Sequence, residues 1–365
     1  METLFLNSLE IRNFRGFRHF QIEHLGRVNL IVGKNNVGKS NLLEALQLYA
    51  RRASTPTFIW ETLAARNRIR QPFEDVGDVL SALKYLFYRR KEITPGIGPI
   101  QIGPINVPGE MLSIAVDWSV IQIGEDGSQN VRPLEVGEDY TRDNLVPRFT
   151  IQAGGTILSY PVDPSIAQRL LRLNAKEIIC VFVSAYGLSG RQITELWDGV
   201  ALTNLEKEVL VALRLIAPGV EGLNLLSIPP QIGERSPIVR IANIDEPLPL
   251  SDLGDGMQRM LGIALALVNA KGGLLLIDEI ENGLHYSVLP DLWHLIFQLA
   301  RRLNIQVFAT THSWDCIEGF QKAAQEDSQS EGLLIRLESK KDQIVATLFD
   351  ERRLGIATRE QIEVR

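Results

Sequence analysis

Cysteine is nearly missing from this chain: Cys180 and Cys316 are the only two in 365 residues, and neither stands in a CxxC pair or a Cys/His cluster. A disulfide framework and a zinc site are not indicated, and a reducing cytoplasm is the expected setting. Long apolar runs are lacking as well. No stretch approaches the roughly 18 apolar residues of a membrane helix. The opening METLFLNSLEIRNFRGF has no basic region followed by an apolar core, so a soluble, unprocessed protein without a membrane partner is predicted. There is no excess of positive charge: 38 basic against 44 acidic residues leave −6, which argues against indiscriminate nucleic-acid binding but leaves room for a local basic groove. No heptad repeat is sustained, which excludes a long coiled-coil arm. Apolar mass, by contrast, is ample at 45%, enough for one large core or two smaller ones.

Against this background stands Gly33-Lys34-Asn35-Asn36-Val37-Gly38-Lys39-Ser40, which fits GxxxxGK[ST]. The apolar run Val28 to Val32, interrupted by Asn29, precedes it, and a helical stretch from Asn41 to Leu46 follows. Strand, glycine loop and helix in that order turn backbone N–H groups and a positive helix end toward one point, which cradles phosphate. The glycines permit backbone conformations and close approach that a Cβ would forbid, Lys39 reaches the β and γ phosphates, and the Ser40 hydroxyl ligates Mg²⁺. The expected nucleotide contacts are Gly33, Asn35, Asn36, Gly38, Lys39, Ser40 and Asn41. The plainer alternative, a glycine turn before an ordinary helix, leaves the lysine and serine without a task.

In chain order, Leu4 to Ile11 predicts a strand, Asn13 to Phe17 a tight turn, and Phe20 to Ile22 a second strand. Glu61 to Ile69 and Val76 to Tyr88 read as helices that carry or adjoin Arg66, Arg68, Arg70, Lys84, Arg89, Arg90 and Lys91 among Phe73, Tyr85, Phe87 and Tyr88. Basic and aromatic residues so mixed could hold nucleic acid, although Glu74, Asp75, Asp78 and Glu92 favour an ordinary solvated face. Thr94 to Pro108, with Gly98-Pro99-Ile100 and Gly103-Pro104-Ile105, predicts a loop rather than a helix or central strand. Met111 to Ile123 and a hairpin about Gly154-Gly155 form an antiparallel region. Pro164 to Asn174 predicts a helix, Glu177 to Ser184 a buried strand, and Leu205 to Leu215 an amphipathic helix with Thr203 as its N-cap. From Gly256 onward helices and strands alternate and imply a mainly parallel sheet covered on both faces, closed by a short C-terminal helix.

Three further stretches carry chemistry. Leu274-Leu275-Leu276-Ile277 runs into Asp278 and Glu279, so Asp278 can hold the Mg²⁺ shell and Glu279 polarise a water as general base. Gln306 to Ala309 runs into Thr310-Thr311-His312-Ser313, which puts the His312 imidazole where it can hydrogen-bond the γ-phosphate or the water. His19, His24 and His294 read as structural. Leu250 to Arg259 is a second glycine loop entering a helix. Arg259 in a first helical turn opposes the helix dipole unless an anion is near, either Asp252 or Asp255 or a bound phosphate.

Taken in order, these stretches resemble the ABC-type ATPases, in particular the RecF/SMC/OLD branch often labelled AAA family ATPases in bacteria. The resemblance rests on Glu10-Ile11-Arg12-Asn13-Phe14-Arg15-Gly16-Phe17, the loop Gly33 to Ser40, the block Ile277 to His285, and Thr310-Thr311-His312-Ser313. It covers both ends of the chain and is loose between about 55 and 240, although Thr194 to Asp198 looks like the helical region of these ATPases. The resemblance implies an α/β ABC-type P-loop NTPase with a split core, residues 1–54 and 240–365, and a 55–239 insertion with an antiparallel β lobe and a helical region. It also implies ATP and Mg²⁺ as cofactors, Arg12 and Arg15 as nucleotide contacts, and a head-to-tail homodimer. There the second loop, through Ser251, Gly254, Gly256 and Arg259, closes the partner's ATP site. Gly254 stands where the family's signature serine belongs, which removes a hydroxyl unless Ser251 supplies it.

The function implied is an ATP-driven switch in DNA repair or phage defence. OLD proteins carry a TOPRIM nuclease domain after the ATPase; about 50 residues follow His312 here, so an effector such as a nuclease is expected on a separate polypeptide. The ATP-binding subunit of a membrane transporter is the competing reading. The altered signature, the NFRGF entry and a Walker A to Walker B gap about twice what that class needs argue against it. A GTPase would need an NKxD element, which is missing.

Overall fold

The computed structural model describes residues 4–52, 58–60, 62–63, 73–123, 129–135, 138–140, 144–163, 178–227, 235–327, 331–350 and 355. The helix expected over 61–69 lies almost wholly outside the described residues, and those expected over 164–174 and at the C-terminus lie wholly or almost wholly outside them.

The chain opens with β1 (Leu9–Phe14) and β2 (Phe17–Ile22), an antiparallel pair whose Asn13 and Arg15 both take positive φ. The strand forms later than the expected Leu4 start. β3 (Val28–Val32) is buried at every position and enters the glycine loop, and α1 (Lys39–Arg51) follows. Asn29 sits in β3 at no cost in satisfaction: its amide donates to Gly26 O and Val307 O and accepts from Gly26 N, so the polar interruption is fully bonded. α2 (Val76–Leu83) is capped by Asp75, which accepts from Asp78 N. It ends five residues before Tyr88, and a tight turn at Tyr88–Arg90 follows with Arg89 and Arg90 at positive φ.

The 94–108 stretch contains β4 (Ile100–Gly103), and the strand is central: β1 pairs with one side of it and β5 (Leu112–Ile123) with the other. This corrects the expectation of a loop. Pro99 and Pro104 fall just outside the paired residues, where no ladder N–H is needed, and Ile100 and Ile102 are fully buried. Gly103 packs tightly there: an added Cβ would lie 3.0 Å from Met111 Cα. β6 (Gln129–Pro133), β7 (Leu145–Ala153) and β8 (Thr156–Pro161) complete a seven-stranded antiparallel sheet that begins with β1 and β2.

β9 (Cys180–Val183) is an edge strand rather than a buried one, and it pairs in parallel with β13 of the nucleotide sheet. Part of the 55–239 segment therefore belongs to that sheet. α3 (Gly190–Asp198) begins with a Ser189/Gln192 capping box, and α4 (Glu206–Arg214) follows. Thr203 is not the N-cap of α4; Leu205 occupies that position, while the Thr203 hydroxyl donates to Val200 O. A three-stranded sheet, β10 (Val220–Ser227), β11 (Arg235–Ile241) and β12 (Leu248–Pro249), leads into α5 (Asp255–Asn269).

The last third alternates as expected: β13 (Leu274–Ile277), α6 (Leu289–Arg302), β14 (Gln306–Thr310), α7 (Trp314–Glu326), β15 (Gly332–Lys340) and β16 (Gln343–Phe349). The resulting sheet runs β16-β15-β3-β14-β13-β9, parallel except for β16. Both faces are covered. Val28, Leu30, Leu275 and Val307 pack with Met257, Met260, Trp293 and Phe320 of the helices on one side. Ile31, Leu274, Leu276 and Phe308 pack with Leu42 and Leu46 of α1 and with Ile11 and Ile102 of the antiparallel sheet on the other. No helix among the described residues is long and apolar enough to cross a membrane. The fold is that of an ABC-type P-loop NTPase.

Candidate functional site

Parallel register brings the chemical stretches to one sheet end. β13 and β14 pair Ile277 with Ala309, and β14 and β3 pair Thr310 with Ile31, so all three chains leave the sheet side by side. A cavity of about 500 Å³ opens there, lined by Asn35, Asn36, Gly38, Lys39, Ser40, Asn41, Asp278, Glu279 and His312. The loop that frames it needs its glycines: Gly33 has φ +145 with Leu337 O 2.6 Å from an added Cβ, and Gly38 has φ +108.

Lys39 is buried, and its Nζ donates to Gly33 O at 2.7 Å and Lys34 O at 3.2 Å. Burial lowers its pKa, and the charges of Asp278, Glu279 and Glu281 oppose that shift. No ion pair ties the ammonium to a carboxylate among the described residues, so it faces the cavity. Ser40 Oγ donates to Asp278 Oδ2 at 3.0 Å, and Thr310 Oγ1 donates to Asp278 Oδ1 at 2.6 Å. A hydroxyl and one carboxylate, both hard oxygen donors, suit a Mg²⁺ that takes its remaining ligands from phosphate and water. Among the described residues there is no group of three or more His, Cys, Asp or Glu side chains that could hold a metal ion.

Glu279 stands at φ +48, an uncommon conformation for a residue with a Cβ. Holding it there costs on the order of 1–3 kcal/mol. Its N–H donates to Thr310 Oγ1 at 2.8 Å, and its Oε2 accepts from Asn282 Nδ2 at 2.6 Å. His312 lies between Lys39 and Glu279: Nδ1 is 3.4 Å from Lys39 Nζ, and Nε2 is 3.7 Å from Glu279 Oε1. An ammonium can only donate, so Nδ1 accepts and a neutral imidazole carries its proton on Nε2, toward the cavity and Glu279. Glu281 Oε1 accepts from the N–H groups of His312 and Ser313 at 2.9 and 3.1 Å, which fixes the start of α7. Sequence reasoning assigned no role to Thr310, Asn282 or Glu281; the signal for them was their place at the ends of adjacent strands.

Six predicted contacts fall elsewhere. Arg12 is exposed and pairs with Glu10, and Arg15 is engaged by Glu44 and by Tyr85 O at 3.2 Å; neither lines the cavity. Ser251 and Gly254 are exposed at the start of α5 and do not line the cavity of their own chain. Gly254, at φ +88, is the N-cap of α5 and supplies no side-chain bond to the first-turn N–H groups. Gly256 is packed so closely on Gly283 that a Cβ would lie 2.8 Å from its carbonyl oxygen. Arg259 is the clear correction: it pairs with neither Asp252 nor Asp255 and does not reach outward. It is buried, and its guanidinium donates to Ser184 O, Asp278 O and Glu279 O at 2.6–2.8 Å. Burial lowers its pKa against the opposing pull of Glu281, Asp278 and Glu279. Hydrogen bonds from a charged donor contribute about 1.5–3 kcal/mol each, enough to offset the cost of the Glu279 backbone.

Two family models match the chain: "AAA ATPase domain" over residues 5–84, and "AAA domain, putative AbiEii toxin, Type IV TA system" over residues 228–315. Among curated proteins, an "ATP/GTP phosphatase" of Helicobacter pylori is 26% identical over 349 residues, covering 88% of this chain and 89% of that one. The "DNA replication and repair protein RecF" of Gloeobacter violaceus is 33% identical over 99 residues, 26% of each chain. Among solved structures, an SMC head bound to the C-winged helix domain of ScpA superposes with a TM-score of 0.50 at 13% identity, covering 97% of this chain and 99% of that one, a likeness of fold. Together with the strand-end geometry, these matches show an ATPase that is similar to AAA ATPase domains at both ends, similar to RecF over part of its sequence, and like an SMC head in fold.

Proposed function

We propose that this ATPase works as a dimeric, Mg²⁺-ATP-driven switch in which the start of α5 of one copy closes the nucleotide site of the other. The observation that carries the proposal is that the cavity is one-sided. Its lining comes from the glycine loop, the start of α1 and the residues just past β13 and β14, while the exposed, side-chain-uncapped start of α5 belongs to a different part of the same chain. An uncapped helix start offers N–H donors and a positive dipole end to phosphate.

Within the site, Lys39 and the first-turn N–H groups of α1 neutralise and orient the phosphates. Ser40 and Asp278, the latter held by Thr310, would hold Mg²⁺, which screens phosphate charge. Glu279, steadied by Asn282, accepts a proton from the attacking water, and His312 donates from Nε2 to the γ-phosphate oxygen. The test is mass by light scattering: monomers without nucleotide or with ADP, dimers with a non-hydrolysable ATP analogue. A monomer under all three conditions would overturn the dimer.

In this reading residues 1–54 and 240–365, with β9, form the core, and the remainder of 55–239 is the insertion. The biological setting proposed is cytoplasmic DNA repair or phage defence, with a separately encoded effector such as a nuclease of TOPRIM type. The toxin-system description of one matching model and the repair names of the RecF relatives support it. A recess of about 840 Å³ beside the β1–β2 turn supports DNA as a partner: Arg18, Lys91 and Lys341 line it, beside Glu92, with no ion pair among the described residues, and Arg89 shares Asp342 at 3.1 Å. Arg18→Glu with Lys91→Glu is expected to weaken binding of duplex DNA by about tenfold or more and to flatten the salt dependence by about two phosphate contacts, measured by fluorescence anisotropy. Unchanged affinity would remove the recess from the DNA path.

A further inference from the structure

Successive carbonyls of an extended strand point in opposite directions. Asp278 O and Glu279 O instead both accept from one atom, Arg259 Nη2, each at 2.8 Å. Two consecutive carbonyls can meet one donor where the chain curls between them, and the curl is the left-handed Glu279. The other end of the fork, Nη1, donates to Ser184 O, just past β9, at 2.6 Å. One guanidinium thus gathers the ends of two neighbouring strands and the turn that carries the general base.

The same arginine belongs to the first turns of α5, whose preceding residues Ser251, Asp252 and Gly254 are exposed. A second contact runs in parallel with it: Gly256 rests on the Gly283 carbonyl, four residues beyond Glu279. Asn282 N donates to Glu279 O at 3.0 Å, so the carbonyl that Arg259 holds also closes the turn leading to Gly283. Any displacement of the α5 start therefore acts on the Glu279 turn through a buried cation and a backbone contact, with no flexible segment between.

We propose that Arg259 is a positioning residue that fixes the turn at Glu279 and couples the α5 start to the general base of its own subunit. The coupling rests on the proposed docking of that start onto a second copy; the positioning of Glu279 does not. A subunit whose α5 has met its partner's nucleotide then holds its own Glu279 in register, so that each site is completed by the other. Arg259 does not line the nucleotide cavity.

The test compares the full-length wild type with Arg259→Met and Arg259→Lys. Methionine keeps much of the length and loses the donors; a lysine ammonium lacks the planar fork that serves three carbonyls. In the folded variants, Kd for a fluorescent ATP analogue is expected within about threefold of wild type. Values of kcat should fall about 30-fold or more in Arg259→Met and less in Arg259→Lys, with KM changing by less than about threefold. Amide exchange at Glu279 and Asn282, measured without nucleotide, should speed up about tenfold, whereas a merely stabilising arginine would lower the melting temperature and leave that exchange and kcat near wild type. Wild-type kcat and wild-type exchange in a folded variant overturn the positioning role. Should both variants fail to fold, the wild type decides: on adding the non-hydrolysable analogue, residues 251–259 and 278–284 must gain exchange protection together. Protection of the first segment alone overturns the coupling. Light scattering on the wild type separates this outcome from a failure of the dimer reading.

Discussion

ATP turnover by Glu279→Gln is expected to fall by about 10²–10⁴-fold, the contribution typical of a positioned general base, with nucleotide affinity within about threefold of wild type. The substitution is nearly isosteric. The amide oxygen still accepts from Asn282 Nδ2, which now reaches Oε2 at 2.6 Å, and the backbone bonds to Thr310 Oγ1 and Arg259 are untouched. What is lost is the capacity to take a proton from water. In the dimer reading the complex with ATP then persists, because opening waits on hydrolysis. Phosphate release measured alongside light scattering checks both parts. Turnover within threefold of wild type would transfer the base role to another group.

Lys39→Ala is expected to act one step earlier, raising the Kd for ATP by about 100-fold or more. Charge-assisted hydrogen bonds from lysine to phosphate are among the strongest in such a site, and about 2.7 kcal/mol corresponds to a factor of 100. The local charge balance sharpens the effect. Lys39 and Arg259 feel the charges of Asp278, Glu279 and Glu281, and Arg259 is spent on carbonyls, so without Lys39 an incoming phosphate meets Asp278 and Glu279 with no lysine or arginine lining the cavity among the described residues. The folded chain itself loses two hydrogen bonds to Gly33 O and Lys34 O in the glycine loop. Calorimetric titration gives the answer directly. A Kd within threefold of wild type would overturn the placement of phosphate at this loop.

Much of the ATPase core was legible in the sequence because its periodicities are clean. β3 and β13 are continuous apolar runs, α1 and α6 repeat their apolar positions at helical spacing, and the glycines mark the loop between them. The cluster Lys39, Ser40, Asp278, Glu279 and His312 followed from strand ends in one parallel sheet, and these residues line one cavity. β4 escaped because four residues between two prolines carry too little pattern to distinguish a strand from a turn; its central place is decided by pairing with β1, where its Ile102 stands opposite the sequence-remote Ile11. Arg259 was legible by half. Its place at a positive helix end called for a negative partner, and the partner is negative, but it comes from carbonyls some 20 and 75 residues away, which no local pattern announces.

The short strand β4 has a consequence for dissection of the molecule. Because it stands between β1 and β5, the antiparallel sheet is one hydrogen-bonded surface shared by the first residues of the chain and by the segment that follows α1. Trimming the chain to a minimal ATPase by excising the residues between α1 and β9 would strip β1 of its inner neighbour and uncover Ile11, Phe14 and Leu43. The remnant would carry an unprotected apolar strand edge, the feature that recruits other chains into aggregates. The β lobe is therefore no detachable cassette: it covers the inner edge of β1.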